Sequence, residues 1–225
     1  KDNGMVNRIF NIINFIYSLY FNFRYLPFKQ AVNLPIWITT NFRVHGLKRG
    51  QLILCKPIHR SVMFGCWGSL GLQQMKGKLI FSKNSHLILR GHTVISQGSV
   101  LKMDNGAFIE LGNDFYCNKN CYFRASRNVF FGNDCQVGWN VQINTSDGHA
   151  IFHDGKSQVS DLPINVGNHV WITSNTIITK GVSIADGCII AQGAVVTKSI
   201  NEPRALVGGG NSKSDFAEYR MEKIA

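Results

Sequence analysis

The stretch VGNHVWITSNTIITKGVSIADGCIIAQGAVVTKSIN, Val166 to Asn201, constrains this chain more than any other feature. An aliphatic residue recurs at every sixth position: Val166, Ile172, Ile178, Ile184, Ile190 and Val196. A helix would place apolar residues at steps of three and four, and a half-buried strand at steps of two. A strict six fits neither. It fits a solenoid of short strands joined by turns, each repeat sending one aliphatic side chain to an interior stack, with three repeats to a coil. The same beat returns in earlier groups of three: Leu89, Ile95 and Leu101; Leu111, Cys117 and Phe123; Phe131, Val137 and Ile143. Phase slips near Gly106 and Asn128 separate the groups, and each reads as a bulge or a lengthened corner.

The flanks read differently. Residues 5–26 are almost wholly Ile, Phe, Tyr and Leu, apart from a narrow polar stripe at helical spacing: Asn7, Asn11, Asn14, Ser18 and Asn22. Amides interrupt the run too often for a membrane span. The helix is expected either to lie in a membrane interface or to pack on the solenoid or a neighbouring subunit, ending at or just before Pro27. From Thr40 onward, FRVHG, QLILC and SVMFG suggest the first, irregular coils. The expected organisation is therefore an N-terminal helical segment over 1–39, an all-β solenoid over 40–201, and a tail over 202–225 ending in a short capping helix. Between Thr145 and Pro163 the beat stops, which predicts a loop extruded from the solenoid, where function is commonly carried.

Composition narrows the function classes. The 225 residues are 44% hydrophobic, which excludes disorder, and the formal charge is +11. That charge is lopsided: residues 1–103 carry fourteen Lys or Arg and one acid, Asp2, whereas 104–225 carry ten bases and twelve acids. Such asymmetry suggests a basic face towards an anionic partner, whether nucleic acid, membrane or acidic saccharide. No zinc-finger or RNP motif accompanies it, so nucleic acid ranks last. Six cysteines without a CxxC pair read as reduced thiols buried in a cytosolic protein, with no metal knuckle.

The run VWITSNTIITKGVSIADGCIIAQGAVVTKSI resembles the hexapeptide-repeat acyltransferases, nearest to the galactoside and maltose O-acetyltransferases and those that decorate surface polysaccharides. The resemblance implies a left-handed parallel β-helix, a homotrimer and acetyl-CoA as donor. It also matches site residues. SDGH followed by a loop and the restart PINVGNHVWI resembles the family's Gly-His, loop and restart, implying that His149 is the general base. An imidazole suits removal of a hydroxyl proton at neutral pH. FYCNKNC resembles the family's Phe-Tyr-x-Asn-x-Asn, which assigns Asn118 to holding the substrate beside that base. Asp147 could orient the imidazole or simply form the Asp-Gly turn. The coenzyme A groove maps by resemblance to Trp171, Ser174, Gly193, Ala194, Thr197 and Lys198. The family's Gly-Asn-Pro-Ala close is here GGNSKSD, which leaves Lys213 as a loose substitute for its basic residue.

The resemblance implies acetyl transfer to a sugar hydroxyl of a surface polysaccharide or its precursor, with the protein cytoplasmic or peripheral at the inner membrane face. Two alternatives stay open. One is a serine or amino-sugar acetyltransferase on the same scaffold, although the N-terminal domain of serine acetyltransferases is longer and more acidic. The other is a zinc hydratase of the γ-carbonic anhydrase type using His149, His153 and His169. His86 and His92 read as structural or exposed.

Overall fold

In the computed structural model the backbone of residues 3–208 is described, apart from 67, 70, 71, 73 and 74; side chains are described from residue 8 onward, His153 excepted. Three parallel sheets form a three-sided prism, a left-handed parallel β-helix. Face A has eight strands, from β1 (Ile36–Ile38) to Leu206–Val207; face B has seven, from Phe42–His45 to Val195–Val196; face C has six, from Leu52–Leu54 to Ser183–Ile184. The chain visits A, then B, then C, and each visit stacks one coil further along the axis.

The six-residue beat is the interior of this prism. Val137, Ile172 and Ile190 stack on face A, Ile143, Ile178 and Val196 on face B, and Phe131, Val166 and Ile184 on face C. All nine are buried. Burying an aliphatic side chain contributes about 1.5–3 kcal/mol, so the stacks are the main force closing the coil. The slips near Gly106 and Asn128 fall at the corner between faces B and C. There the preceding strands, Val100–Met103 and Tyr122–Ala125, are four residues long and the turn is lengthened. Gly106 takes φ +74° in one of these turns, a backbone state that suits glycine.

The N-terminal segment is helix α1 (Asn3–Tyr25) followed by the short α2 (Phe28–Ala31), which starts beside Pro27. The first strand begins at Ile36, ahead of the expected start at 40, because only a short connection follows α2 before the chain enters face A. The solenoid likewise runs past 201, with Leu206–Val207 pairing Ile189–Ile190. The expected C-terminal helix lies outside the described residues.

Helix α1 caps the open end of the prism with the C-terminal part of its polar stripe turned inward. Asn14, Ser18 and Asn22 are all buried. Each meets the free edge of β1 or the residue just beyond it. The Asn22 carboxamide accepts from the Ile36 N–H at 3.1 Å and donates to the Ile36 carbonyl at 2.7 Å. Ser18 Oγ accepts from Ile38 N–H at 2.9 Å, and Asn14 Oδ1 accepts from Thr40 N–H at 3.0 Å. Phe21 and Leu26, also buried, plug the apolar interior beneath. Arg49 closes the helix C-terminus by donating to the carbonyls of Phe23 and Arg24 at 3.0 Å each.

Candidate active site

The sequence-derived site residues fall on the two long edges of face B. At the edge between A and B, Asn118 follows the strand Phe115–Cys117, and Trp171 and Ser174 both sit two coils further along. They share a cleft of about 370 Å³ with Tyr116, Gly138 and Trp139. Tyr116, Gln136 and Trp171 occupy one register across adjacent strands, so an aromatic wall stands on face A beside the corner. Burial pushes the Tyr116 phenol above its ordinary value, which keeps it neutral.

The cleft exists because the corner is built from small residues. A Cβ at Gly138 would lie 2.5 Å from the Ser174 nitrogen, so only glycine lets these two coils approach. Ser174 Oγ accepts from the Trp139 N–H at 3.2 Å and is thereby held in place. Gly193 takes φ +76°, with open space where a side chain would stand, and the neighbouring Ala194 is buried.

Asn118 is firmly held. Its Oδ1 accepts from the Lys119 and Ser69 N–H groups at 2.8 and 3.0 Å, and its Nδ2 donates to Ser69 Oγ at 2.9 Å. Among the described residues, one amide hydrogen has no acceptor. Ser69 belongs to a connection between faces A and B whose composition gives no motif, so sequence reasoning did not find it. Trp139 could have been found: it lies two residues after Val137, as Ser174 lies two after Ile172.

His149 stands on the opposite edge, between B and C. Residues 145–163 leave the coil there and return to it in the strand Ile164–Val166. The loop base is zipped by a bridge between Ser146 and Asp161 and by Leu162 N–H donating to the Thr145 carbonyl at 3.0 Å. Further out, Phe152–His153 pairs antiparallel with Lys156–Ser157. His149 is exposed beyond the zipped base, with Arg124 on the same side: its Nη1 is 3.7 Å from where a Cβ on Gly148 would be. Asp147 forms an ion pair with Lys180 and donates its N–H to the Ser160 carbonyl at 3.0 Å. Lys180 was not anticipated, although it lies on the same edge two residues after Ile178. Thr197 and Lys198 follow the last strand of face B and are exposed on this edge as well.

Face B therefore separates two groups of candidate residues. The strands of face B run between them, so the two groups stand at opposite ends of the same strands. Trp171, Ser174, Gly193, Ala194 and Asn118 occupy one edge; His149, Asp147, Thr197 and Lys198 occupy the other. Lys213 lies outside the described residues. His169, invoked by the zinc alternative, sits on neither edge: it is at the corner between C and A, its Nδ1 3.0 Å from Asp134 Oδ2. Among the described residues of one chain, no group of three His, Cys, Asp or Glu is placed to hold a metal.

No protein-family model matches the sequence. The nodulation protein L of Rhizobium meliloti is 36% identical over 135 residues, covering 57% of this chain and 73% of that protein. The galactoside O-acetyltransferase of Escherichia coli K12 is 34% identical over 107 residues, 47% of this chain and 51% of that enzyme. Among solved structures, the polySia-specific acetyltransferase NeuO aligns over 84% of this chain and 91% of its own, at 23% identity and a TM-score of 0.49. The chain spans about half the length of the first curated relatives it matches. With a hexapeptide beat, three parallel faces and a relative covered over most of its length, the chain belongs to the hexapeptide-repeat acetyltransferase family.

Proposed function

We propose that this protein is an acetyl-CoA-dependent O-acetyltransferase acting on a sugar hydroxyl of a surface polysaccharide or its precursor. The observation that carries this reading is the division of the candidate residues between the two edges of face B. Each chain presents half a site at each edge. Cyclic assembly of three prisms would bring the A–B edge of one chain to the B–C edge of the next. Exposed apolar groups on the extruded loop support such a contact: Ile151, Phe152 and Val159 all stand at the surface.

In the groove so formed, His149 takes the proton from the acceptor hydroxyl as its oxygen attacks the thioester carbonyl. A new C–O bond forms and the carbonyl becomes an oxyanion. The free Asn118 amide hydrogen donates to it; such a fixed donor is commonly worth about two to three orders of magnitude in rate. As the carbonyl re-forms, the C–S bond breaks and the imidazolium returns its proton to the departing sulfur, giving an acetyl ester and a free thiol. The acetyl donor supplies the activated thioester carbonyl. Gly138, Ser174 and Gly193 leave the corner open to an extended arm, Trp171 offers an aromatic face, and Lys198 offers a cation to a phosphate.

The likeness to a galactoside O-acetyltransferase favours a sugar acceptor over serine. The test is thiol release from acetyl-CoA with galactosides, acidic oligosaccharides, amino sugars and serine offered in parallel, with the product weighed by mass spectrometry. Acetyl ester on a sugar is the expected product. Serine as the sole acceptor would overturn the substrate class, and absence of thiol release with every acceptor on the panel, together with proton production that depends on carbon dioxide, would overturn the activity.

A further inference from the structure

The outer surface of α1 is an apolar face without a partner among the described residues. With Asn14, Ser18 and Asn22 spent on the edge of β1 and Phe21 on the interior, most of the remaining circumference points outward. Ile9, Ile12, Ile13, Phe15, Ile16, Leu19 and Tyr20 are all exposed, Ile12 by 59% and Ile16 by 58%, and Phe28 of α2 adds a ring that is 73% exposed. Single exposed hydrophobic residues are ordinary, but a continuous strip along a whole helix marks an interaction surface. Among the described residues no helix is long and apolar enough to cross a membrane.

Charge selects the occupant. Exposed Arg8, Arg24, Lys29 and Lys48 lie on or beside α1, and residues 3–103 contain no Asp or Glu. A second copy docking through the same face would bring these cations against their own counterparts with no acid to compensate. A surface that is apolar beneath and anionic above meets both features, and that describes the headgroup layer of an anionic membrane. The position is right for it too. Helix α1 covers the end of the prism, at the free edge of β1, whereas the two halves of the candidate site lie on its long edges, so docking by the end leaves them open. We infer that the outer face of α1 docks the protein peripherally on anionic lipid, with Ile12, Ile16 and their neighbours entering the interface and the flanking Arg and Lys meeting headgroups.

The inference does not rest on the proposed acetyl transfer, and its test needs no turnover. The whole chain is sedimented with vesicles of phosphatidylcholine, alone or mixed with phosphatidylglycerol, across a salt series. Binding is expected only to the mixed vesicles and is expected to fall steeply with salt, because headgroup attraction is screened. Arg24→Glu with Lys29→Glu is expected to weaken partitioning at least about tenfold. Ile12→Asn with Ile16→Asn is expected to weaken it comparably. All four positions are exposed, and an unchanged melting temperature checks the fold of each variant. Should a variant melt early, the salt series on the unaltered protein still decides. Equal binding to both vesicle types, or binding indifferent to salt, overturns the inference. So does absence of vesicle binding together with concentration-dependent self-association that Ile12→Asn with Ile16→Asn abolishes, the result expected if a second copy covers the face.

Discussion

Asn22 makes to Ile36 the pair of hydrogen bonds that a neighbouring strand would make, one accepted from the N–H at 3.1 Å and one donated to the carbonyl at 2.7 Å. The pairing continues as Ser18 with Ile38 and Asn14 with Thr40. Four residues of helix rise about 6 Å and two residues of strand about 6.6 Å, so an amide stripe at i, i+4, i+8 keeps register with alternate residues of an antiparallel strand edge. The helix thereby terminates a sheet that would otherwise expose unpaired backbone groups.

Asn22→Ala should therefore cost far more than its size suggests. It strands two backbone groups of Ile36 beneath a helix, at about 1–3 kcal/mol for each buried group left unpaired. Ile12→Ala, on the outward face, should stay within about 0.5 kcal/mol. Denaturant unfolding of the two variants checks the contrast; equal small losses would mean that the stripe does not hold the edge.

The solenoid was legible because interior stacking in a three-sided coil leaves a period that no helix or simple strand shares. Val166 to Val196 carries that period unbroken, and its stacks map one to one onto the three faces. The use of the polar stripe was not legible. The amide stripe suggests a wet face, and only the free edge of β1 turns Asn14, Ser18 and Asn22 inward, while Asn11 stays exposed. The division of the candidate site was hidden for a similar reason. His149 and Asn118 were named by resemblance, but which edge each occupies follows from counting coils, and their neighbours Ser69 and Lys180 come from coils distant in sequence.

Asp147 and His149 should separate in their effects. The carboxylate of Asp147 is engaged with Lys180. Asp147→Asn and Lys180→Met should each lower turnover by less than about tenfold, with the double variant no worse than either, whereas loss of a positioned base costs about two to four orders of magnitude. A shift in the pH–rate profile of Asp147→Asn matching the loss seen in His149→Ala would instead make the carboxylate an orienting group.

Five of the six cysteines are buried and Cys55 alone is exposed. Burial raises the thiol pKa of Cys66 and Cys135 to about 11 and drives Cys117 well above its ordinary value. The thiolate is the reactive form, so at pH 8 these groups should be inert. Titration with a thiol reagent should count one fast group in the folded protein and all six after denaturation. Rapid labelling of Cys117 would contradict the packing of the interior.

Asp104 links two coils. Burial alone would raise its pKa, but hydrogen bonds from Ser126 and Lys102 and the nearby Lys102 and Arg124 charges together lower it. A carboxylate depressed in the folded state contributes stability above its unfolded pKa, near 4, and loses it as pH falls through the lower folded value. Asp104→Asn should flatten the acid side of the stability profile while leaving the protein less stable at neutral pH. An unchanged profile would mean that the cluster is solvated and contributes nothing.

The central claim is that the A–B edge of one chain and the B–C edge of the next together perform acetyl transfer. Co-expression of His149→Ala with Asn118→Ala, each inactive alone, tests it most directly. In mixed trimers, confirmed and separated by native mass spectrometry, about one third of the interfaces would carry His149 from one chain and Asn118 from its neighbour. Recovery of about that fraction of the unaltered turnover is the expected result. Mixed trimers that remain as inactive as either parent would contradict a site shared between chains.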